Sequence, residues 1–414
     1  MGGQVREVFE LDDGQHKRAV IRVIGVGGGG CNTVNQMAQA GIEGVDFICA
    51  NTDRDHLERC VPTNQLQLGA EITRGLGAGS NPEIGRQAAE EDRDRIREMI
   101  EGSDLLFITA GMGGGTGTGA APVIAQIAKE LGILTVSVVT KPFAHEGKKR
   151  MAVALKGIDE LRQYSDSLIL IPNEKLGLVL GTKITVLNCF KAANDVLQNA
   201  VQGISDLITR PGLVNVDFAD VRTVMSNRGM AMMGMGHASG EGRAEKAVEM
   251  ALSSPLLDDI ELQGARGLLV NVTCDESLTM EELEYINSRV AEIASEEADT
   301  KCGMAMDPNL NGTLRVTVVA TGLPGHKHAA PATTAVQNPK VAPFVRPEMA
   351  APVPPAMPYS SSAAYLDVPT VHRQMHGAQR QPQKVAAAGG GSPFPLGLDD
   401  DIINIPSFLR NQAD

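Results

Sequence analysis

With 414 residues the chain can hold two folded domains and further segments, and its 43% hydrophobic and 21% charged residues suit a globular protein rather than a fibrous or wholly unfolded one. A net charge of −13 argues against a nucleic-acid partner, and no apolar run approaches the length of a bilayer span. The six cysteines are scattered without paired spacing, and no signal-peptide core opens the chain, so reduced thiols, no metal site and a cytoplasmic setting are expected.

Residues 1–18 are polar and read as a flexible N-terminus. The apolar run from Ala19 to Ile24 predicts a strand, which passes into Gly25-Val26-Gly27-Gly28-Gly29-Gly30-Cys31-Asn32 and then a helix carrying Val34, Met37, Ala38 and Ile42. Val45 to Ala50 predicts a second strand, ending at Asn51-Thr52-Asp53. This βαβ pattern satisfies G-x-G-x-x-G through Gly25, Gly27 and Gly30, with acidic Asp53 about 20 residues on, a fingerprint of dinucleotide sites. Asn32 suits either a helix cap or a phosphate contact.

A second glycine turn, Gly75-Leu76-Gly77-Ala78-Gly79-Ser80-Asn81-Pro82, precedes a charged helix expected from Glu83 to Glu101. Then comes the most informative stretch. Asp104 to Thr109 reads as a buried strand, followed by Gly111-Met112-Gly113-Gly114-Gly115-Thr116-Gly117-Thr118-Gly119 and an apolar helix with Pro122 in its first turn. Such a loop lets main-chain N–H groups and the positive end of a helix face one anion, with hydroxyls from Thr116 and Thr118 beside them. Ile133 to Val139 is a further strand. Strands alternate with helices, so a mainly parallel sheet is expected, with the three glycine turns meeting at its carboxyl edge.

Glu146 and Arg150 share a face at the start of the next helix, where a carboxylate could accept from a ribose hydroxyl. Ser167 to Ile171 reads as a strand. Apolar residues at spacings of three and four predict a long helix over 184–209, stopped by Arg210-Pro211-Gly212 and covered widely enough to lie between two domains. Near its start, Phe190, Asn194 and Asp195 could stack on and bond a purine, although Phe190 alone also suits a core. In Asn215-x-Asp217-x-x-Asp220 the two carboxylates share a helix face. They suit either a helix start or a pair that orients water or metal at a phosphate. A methionine- and glycine-rich stretch follows over 225–240, then helices over 243–252 and 279–297 and strands over 267–273 and 314–321. These predict a smaller α+β domain with a sheet of its own.

Thirteen of the 22 prolines lie between Leu323 and Leu396, which predicts a disordered tether in which His326 and His328 are solvated. Ile402, Ile403, Ile405, Phe408 and Leu409, flanked by acids, read as a docking peptide that orders on a partner. The expected divisions are 1–18, a nucleotide domain over 19–183, a central helix over 184–210, a second domain over 211–322, a linker over 323–396 and a docking peptide over 397–414.

Gly113 to Gly119, with Gly28 to Asn32, the Asn215-x-Asp217-x-x-Asp220 motif and the tethered tail, resembles the tubulin/FtsZ family of GTPases from about Val20 to Thr321. Cys31 stands where that family often has glycine, and Asn404 where its tail usually has aspartate. The resemblance implies a parallel-sheet GTP-binding domain, a long central helix and a second smaller domain. It implies that Gly28, Gly29, Gly30, Cys31 and Asn32 line GTP or GDP, and that Gly115, Thr116 and Gly117 hold the phosphates. By the same resemblance Ala78 and Gly79 sense the γ-phosphate, Glu146 and Arg150 meet the ribose, and Phe190 and Asn194 meet guanine. Asn215, Asp217 and Asp220 would serve the GTP of the next subunit, polarising water near Mg2+. The implied protein forms head-to-tail homopolymers in a cytoplasmic division ring. It reaches division proteins and membrane tethers of the FtsA and ZipA type through residues 399–410, with no nucleic acid and no membrane insertion. Two rival readings are an NAD(P)-dependent oxidoreductase, on Gly25, Gly27, Gly30 and Asp53, and a filament scaffold that binds nucleotide without hydrolysing it.

Overall fold

Ten strands form one continuous sheet in the order β3-β2-β1-β4-β5-β6-β7-β10-β8-β9. The structure, a computed structural model, describes residues 19–323 except 63, 181–184, 211–215, 228, 255, 258–263 and 296–297. The predicted N-terminal segment, Asn215, the linker and the docking peptide lie outside the described residues.

The first half alternates strand and helix. It runs β1 (Ile21–Val26), α1 (Gly27–Gln39), β2 (Val45–Asn51), α2 (Arg54–Leu57), β3 (Asn64–Gln67), α3 (Ala70–Thr73), α4 (Pro82–Glu91), α5 (Arg93–Ile100), β4 (Leu105–Gly111) and α6 (Thr116–Glu130). It continues through β5 (Leu134–Lys141), α7 (Lys148–Tyr164), β6 (Ser167–Pro172) and α8 (Asn173–Leu180). The long helix α9 (Val186–Thr209) is capped by Thr185, whose Oγ1 accepts from the Asn188 N–H. Then follow α10 (Phe218–Met225), β7 (Gly229–Ser239), α11 (Arg243–Leu252), β8 (Gly267–Cys274), α12 (Met280–Ile293), β9 (Asp299–Met306) and β10 (Thr313–Leu323).

Every pairing from β3 through β7 is parallel, so each strand needs a crossover and each crossover supplies a helix. Alternate side chains of β1 and β4 bury on opposite faces. Ile21, Val23, Leu105 and Phe107 pack with α1 and α9, while Ile24, Val26, Leu106 and Ile108 pack with α4 to α7. On the α9 face one core runs from Ile21 to Leu269 and Val319, so this helix does bind the two halves together.

Three expectations are corrected, and the methionine-rich stretch gains an element. The second half has no sheet of its own: β7 joins β6 through Ser167–Gly229, Leu168–Met230 and Ile169–Ala231. The methionine-rich stretch is the strand β7; a Cβ on Gly236 would lie 2.0 Å from the Ala247 carbonyl oxygen, so a small residue lets α11 lie against the strand. The charged helix over 83–101 is two helices, broken where Asp92 turns its Oδ2 to the Gly69 N–H at 2.7 Å. Pro122 lies inside α6 rather than in its first turn, because that helix already begins at Thr116, within the glycine run.

No described helix is long and apolar enough to cross a membrane.

Candidate active site

In the order β3-β2-β1-β4-β5-β6 the direction of winding reverses between β1 and β4. Crossovers leave that point to opposite faces and open a crevice at the carboxyl ends of the two strands. The glycine turns after β1 and β4 stand at this crevice. Each runs straight into a helix, α1 at Gly27 and α6 at Thr116. Neither helix has a side-chain cap or an acidic residue in its first turn, whereas Asn81 caps α4 and Thr279 with Glu282 boxes α12. Two uncapped helix starts therefore turn their orphan N–H groups and positive ends to one place, which favours an anion.

The three turns touch. A Cβ on Gly27 would lie 2.8 Å from the Gly117 amide nitrogen, and one on Gly115 would lie 2.8 Å from the Ala78 Cβ. Gly27 also holds φ +71, which only glycine adopts readily. Thr116 and Thr52 pair their hydroxyls at 2.6 Å, both buried. Gly28, Gly29, Asn32 and Gly79 are exposed at the rim, with Gly30, Cys31 and Ala78 buried behind them. Thr118 Oγ1 accepts from the Gly113 N–H at 2.8 Å and braces the loop. One expectation changes: Asn32 lies well inside α1, so it caps no helix. Asp53 accepts from the His56 N–H at 3.0 Å through Oδ1 and caps α2.

Beside the cradle, Glu146 accepts from the Phe143 N–H at 2.8 Å and pairs with Arg150 at 3.1 Å. Arg150 lies over the phosphate loop, since a Cβ on Gly113 would be 2.8 Å from its Cγ. Phe143 meets Phe190 edge to face with centroids 5.5 Å apart. Thr33 donates to Asn194 Oδ1 at 3.0 Å, with the Gly29 carbonyl at 3.1 Å, and Gln36 donates to Asp195. The start of α9 is thus tied to α1, and Phe190 and Asn194 belong to the same wall as Glu146. Thr33, Thr52 and Phe143 were not singled out from the sequence. Only Thr52, at a strand end beside Asp53, carried a local signal.

The carboxylates are elsewhere. Asp217 occupies the capping position of α10 but makes no side-chain cap and is exposed. Asp220 pairs with Lys301 at 3.1 Å, and Lys301 reaches Asp299 at 3.6 Å. A shallow pocket joins Asp217 to Ala19 and Gly44, the residues before β1 and β2, and Arg222 donates to the Asp104 carbonyl just before β4. This is the amino edge of the sheet; the phosphate turns are at the carboxyl edge. The seven residues of β4 separate the two, about 23 Å at strand rise. Cradle and acids cannot meet within one molecule.

The cysteines, scattered in sequence, are not all scattered in space: the thiols of Cys31, Cys49 and Cys60 lie within 4.8 Å of one another.

Residues 20–181 match the model of the Tubulin/FtsZ family GTPase domain, and residues 229–324 match the model of the FtsZ family C-terminal domain. The cell division protein FtsZ of Coxiella burnetii is 61% identical over 319 residues, 77% of this chain and 83% of its own. The chain belongs to the FtsZ family. Another FtsZ relative, from Azotobacter vinelandii, is 52% identical over 98% of this chain and 100% of its own length. An FtsZ solved as an empty dimer, from M. jannaschii, superposes with a TM-score of 0.71 at 47% identity, covering 74% of this chain and 89% of that one. All three glycine turns fall within the FtsZ GTPase match, so the cradle is part of a GTPase domain. Asp217 and Asp220 fall between the two FtsZ matches.

Proposed function

We propose that this chain is a self-assembling cell-division GTPase whose triphosphate is held by one molecule and hydrolysed with carboxylates from the next. The observation that carries the reading is the length of sheet between the amide cradle and Asp217 with Asp220. A second copy stacked head to tail closes that gap, because it turns its amino edge to the first copy's carboxyl edge. Such a contact is heterologous, and repeated it gives an open filament.

The division of labour follows from the donors. Amides of Gly28, Gly29, Gly115 and Gly117 donate to the phosphate oxygens, and Ala78 with Gly79 stands where the terminal phosphate would end. Cys31 and Asn32 extend that wall. Glu146 and Arg150 face the ribose, with Phe190 and Asn194 at the base. The chain does little covalent chemistry here; positioning and charge balance lower the barrier. Asp217 and Asp220 orient the attacking water, and Lys301 holds the second of them in place. Asn215 adjoins the pair in sequence and is assigned to the same task. The hydroxyls of Thr52 and Thr116 are hard oxygen donors that suit a Mg2+ ion carried in on the phosphates, where it would draw charge from their oxygens. Loss of the γ-phosphate removes a link between subunits and loosens the contact.

Residues 399–410, apolar and acid-flanked at the end of a proline-rich tether, support docking onto division proteins and membrane tethers of the FtsA and ZipA type. The filament would then be held at a mid-cell ring on the inner face of the membrane.

Two variants test the split. Asp220→Ala should bind GTP normally and lose turnover by about 100-fold or more. Gly27→Ala should lose GTP binding. An equimolar mixture should regain turnover that neither has alone, because one supplies bound GTP and the other supplies acids. A mixture as inactive as its parts would overturn the shared site.

A further inference from the structure

We propose that Cys31, Cys49 and Cys60 form a three-coordinate site for a soft thiophilic metal ion, Cu(I) by its chemistry, built behind the first phosphate turn. The three thiols come from α1, β2 and the loop between α2 and β3, and their sulfurs lie within 4.8 Å of one another. Three sulfurs bound to one ion at about 2.3 Å each sit about 4 Å apart, so the site closes on an ion with little movement.

The surroundings select the ion. Cys31 and Cys49 are wholly buried and Cys60 is 9% exposed, so Cys60 marks the way in. Among the described residues no further histidine, cysteine or carboxylate joins the cluster. Zn2+ in a closed protein site asks for a fourth ligand, whereas three soft thiolates and a dry wall suit Cu(I). The neighbours are apolar: Val34, Met37 and Leu57 share the same core. Without an ion the thiols have weak partners: Cys31 reaches the Gly25 and Ala50 carbonyls at 3.4 and 3.6 Å, and Cys60 the His56 carbonyl at 3.4 Å.

The thiols give up their protons as the ion binds. Cys31 lies between Gly30 and Asn32, so a bound ion ties the start of α1 to β2 and stiffens the first phosphate turn.

The test uses the full chain, reduced and stripped of metal, titrated without oxygen against Cu(I) held by bicinchoninate. One equivalent should pass from the chelator to the protein, and X-ray absorption of the loaded protein should find three sulfur neighbours. Cys49→Ser with Cys60→Ser, checked for folding by GTP binding, should lower the affinity by at least about 100-fold. The chain with Cys189, Cys274 and Cys302 changed to serine should still take one equivalent. No uptake, uptake unchanged in the Cys49/Cys60 variant, a disulfide in place of a metal, or Zn2+ preferred with a fourth light-atom ligand would each overturn the assignment. If the double variant fails to fold, the X-ray absorption of the unsubstituted chain decides alone.

Discussion

Asp217 sits where a helix cap belongs, yet its carboxylate accepts nothing from the first turn of α10. Asn81 occupies the same position on α4 and does cap, accepting from the Glu83 N–H at 3.1 Å. A capping aspartate loses about 1 kcal/mol when removed, whereas an uncommitted one costs nothing in stability. Asp217→Asn should therefore leave the melting temperature unchanged while turnover falls by about 100-fold, the usual scale for a misplaced proton acceptor. A drop in melting temperature with turnover kept would return Asp217 to a structural role. Residues of this kind were legible in the sequence because their signal is local: glycines before a helix, or two acids on one face. Thr33 with Asn194 and Thr52 with Thr116 were not. They are 161 and 64 residues apart, and only the strand order brings them together. The same holds for the three cysteines, whose spacing carries no pattern.

Among the elements, α9 and the α11–α12 pair hold the second half in place. Ile204, at 1% exposure, fills the core between α9 and the sheet, so Ile204→Ala should cost about 2–5 kcal/mol in denaturant unfolding. Arg243 is buried at the start of α11. It donates to both oxygens of Glu282 on α12, at 2.7 and 2.9 Å, and to Ser277 and the Gly312 carbonyl. The guanidinium lowers the Glu282 carboxyl from 4.5 to about 2. Folded protein thus keeps this carboxylate ionised where the unfolded chain would have protonated it. The stabilisation is complete above 4.5 and fades as pH falls toward about 2. Glu282→Gln should lower stability at neutral pH by about 1–3 kcal/mol, and the gap to the unsubstituted chain should close over that acidic window. A gap that stays constant there would remove the charge from the explanation. The periodicity of α9 was plain because an amphipathic helix repeats over many residues. β7 was hidden: it has methionines and glycines in place of β-branched residues, and its glycines serve a helix it meets only after folding.

For the whole molecule, the alternation of strands and helices foretold the parallel sheet and the edge at which glycine turns gather. It did not foretell that the sheet runs on through β7 to β9. That continuity fixes α10 against β8 and β9, and so holds Asp217 and Asp220 at the edge away from the cradle. On the proposed function the consequence belongs to the assembled state, since a single molecule keeps its glycine cradle and its two acids at opposite edges of the sheet. The most direct test is GTP turnover per molecule, measured over a dilution series alongside light scattering. The account predicts a threshold: negligible turnover while the protein is monomeric, then a steep rise as filaments form. An undiminished rate per molecule in dilute, strictly monomeric protein would contradict it.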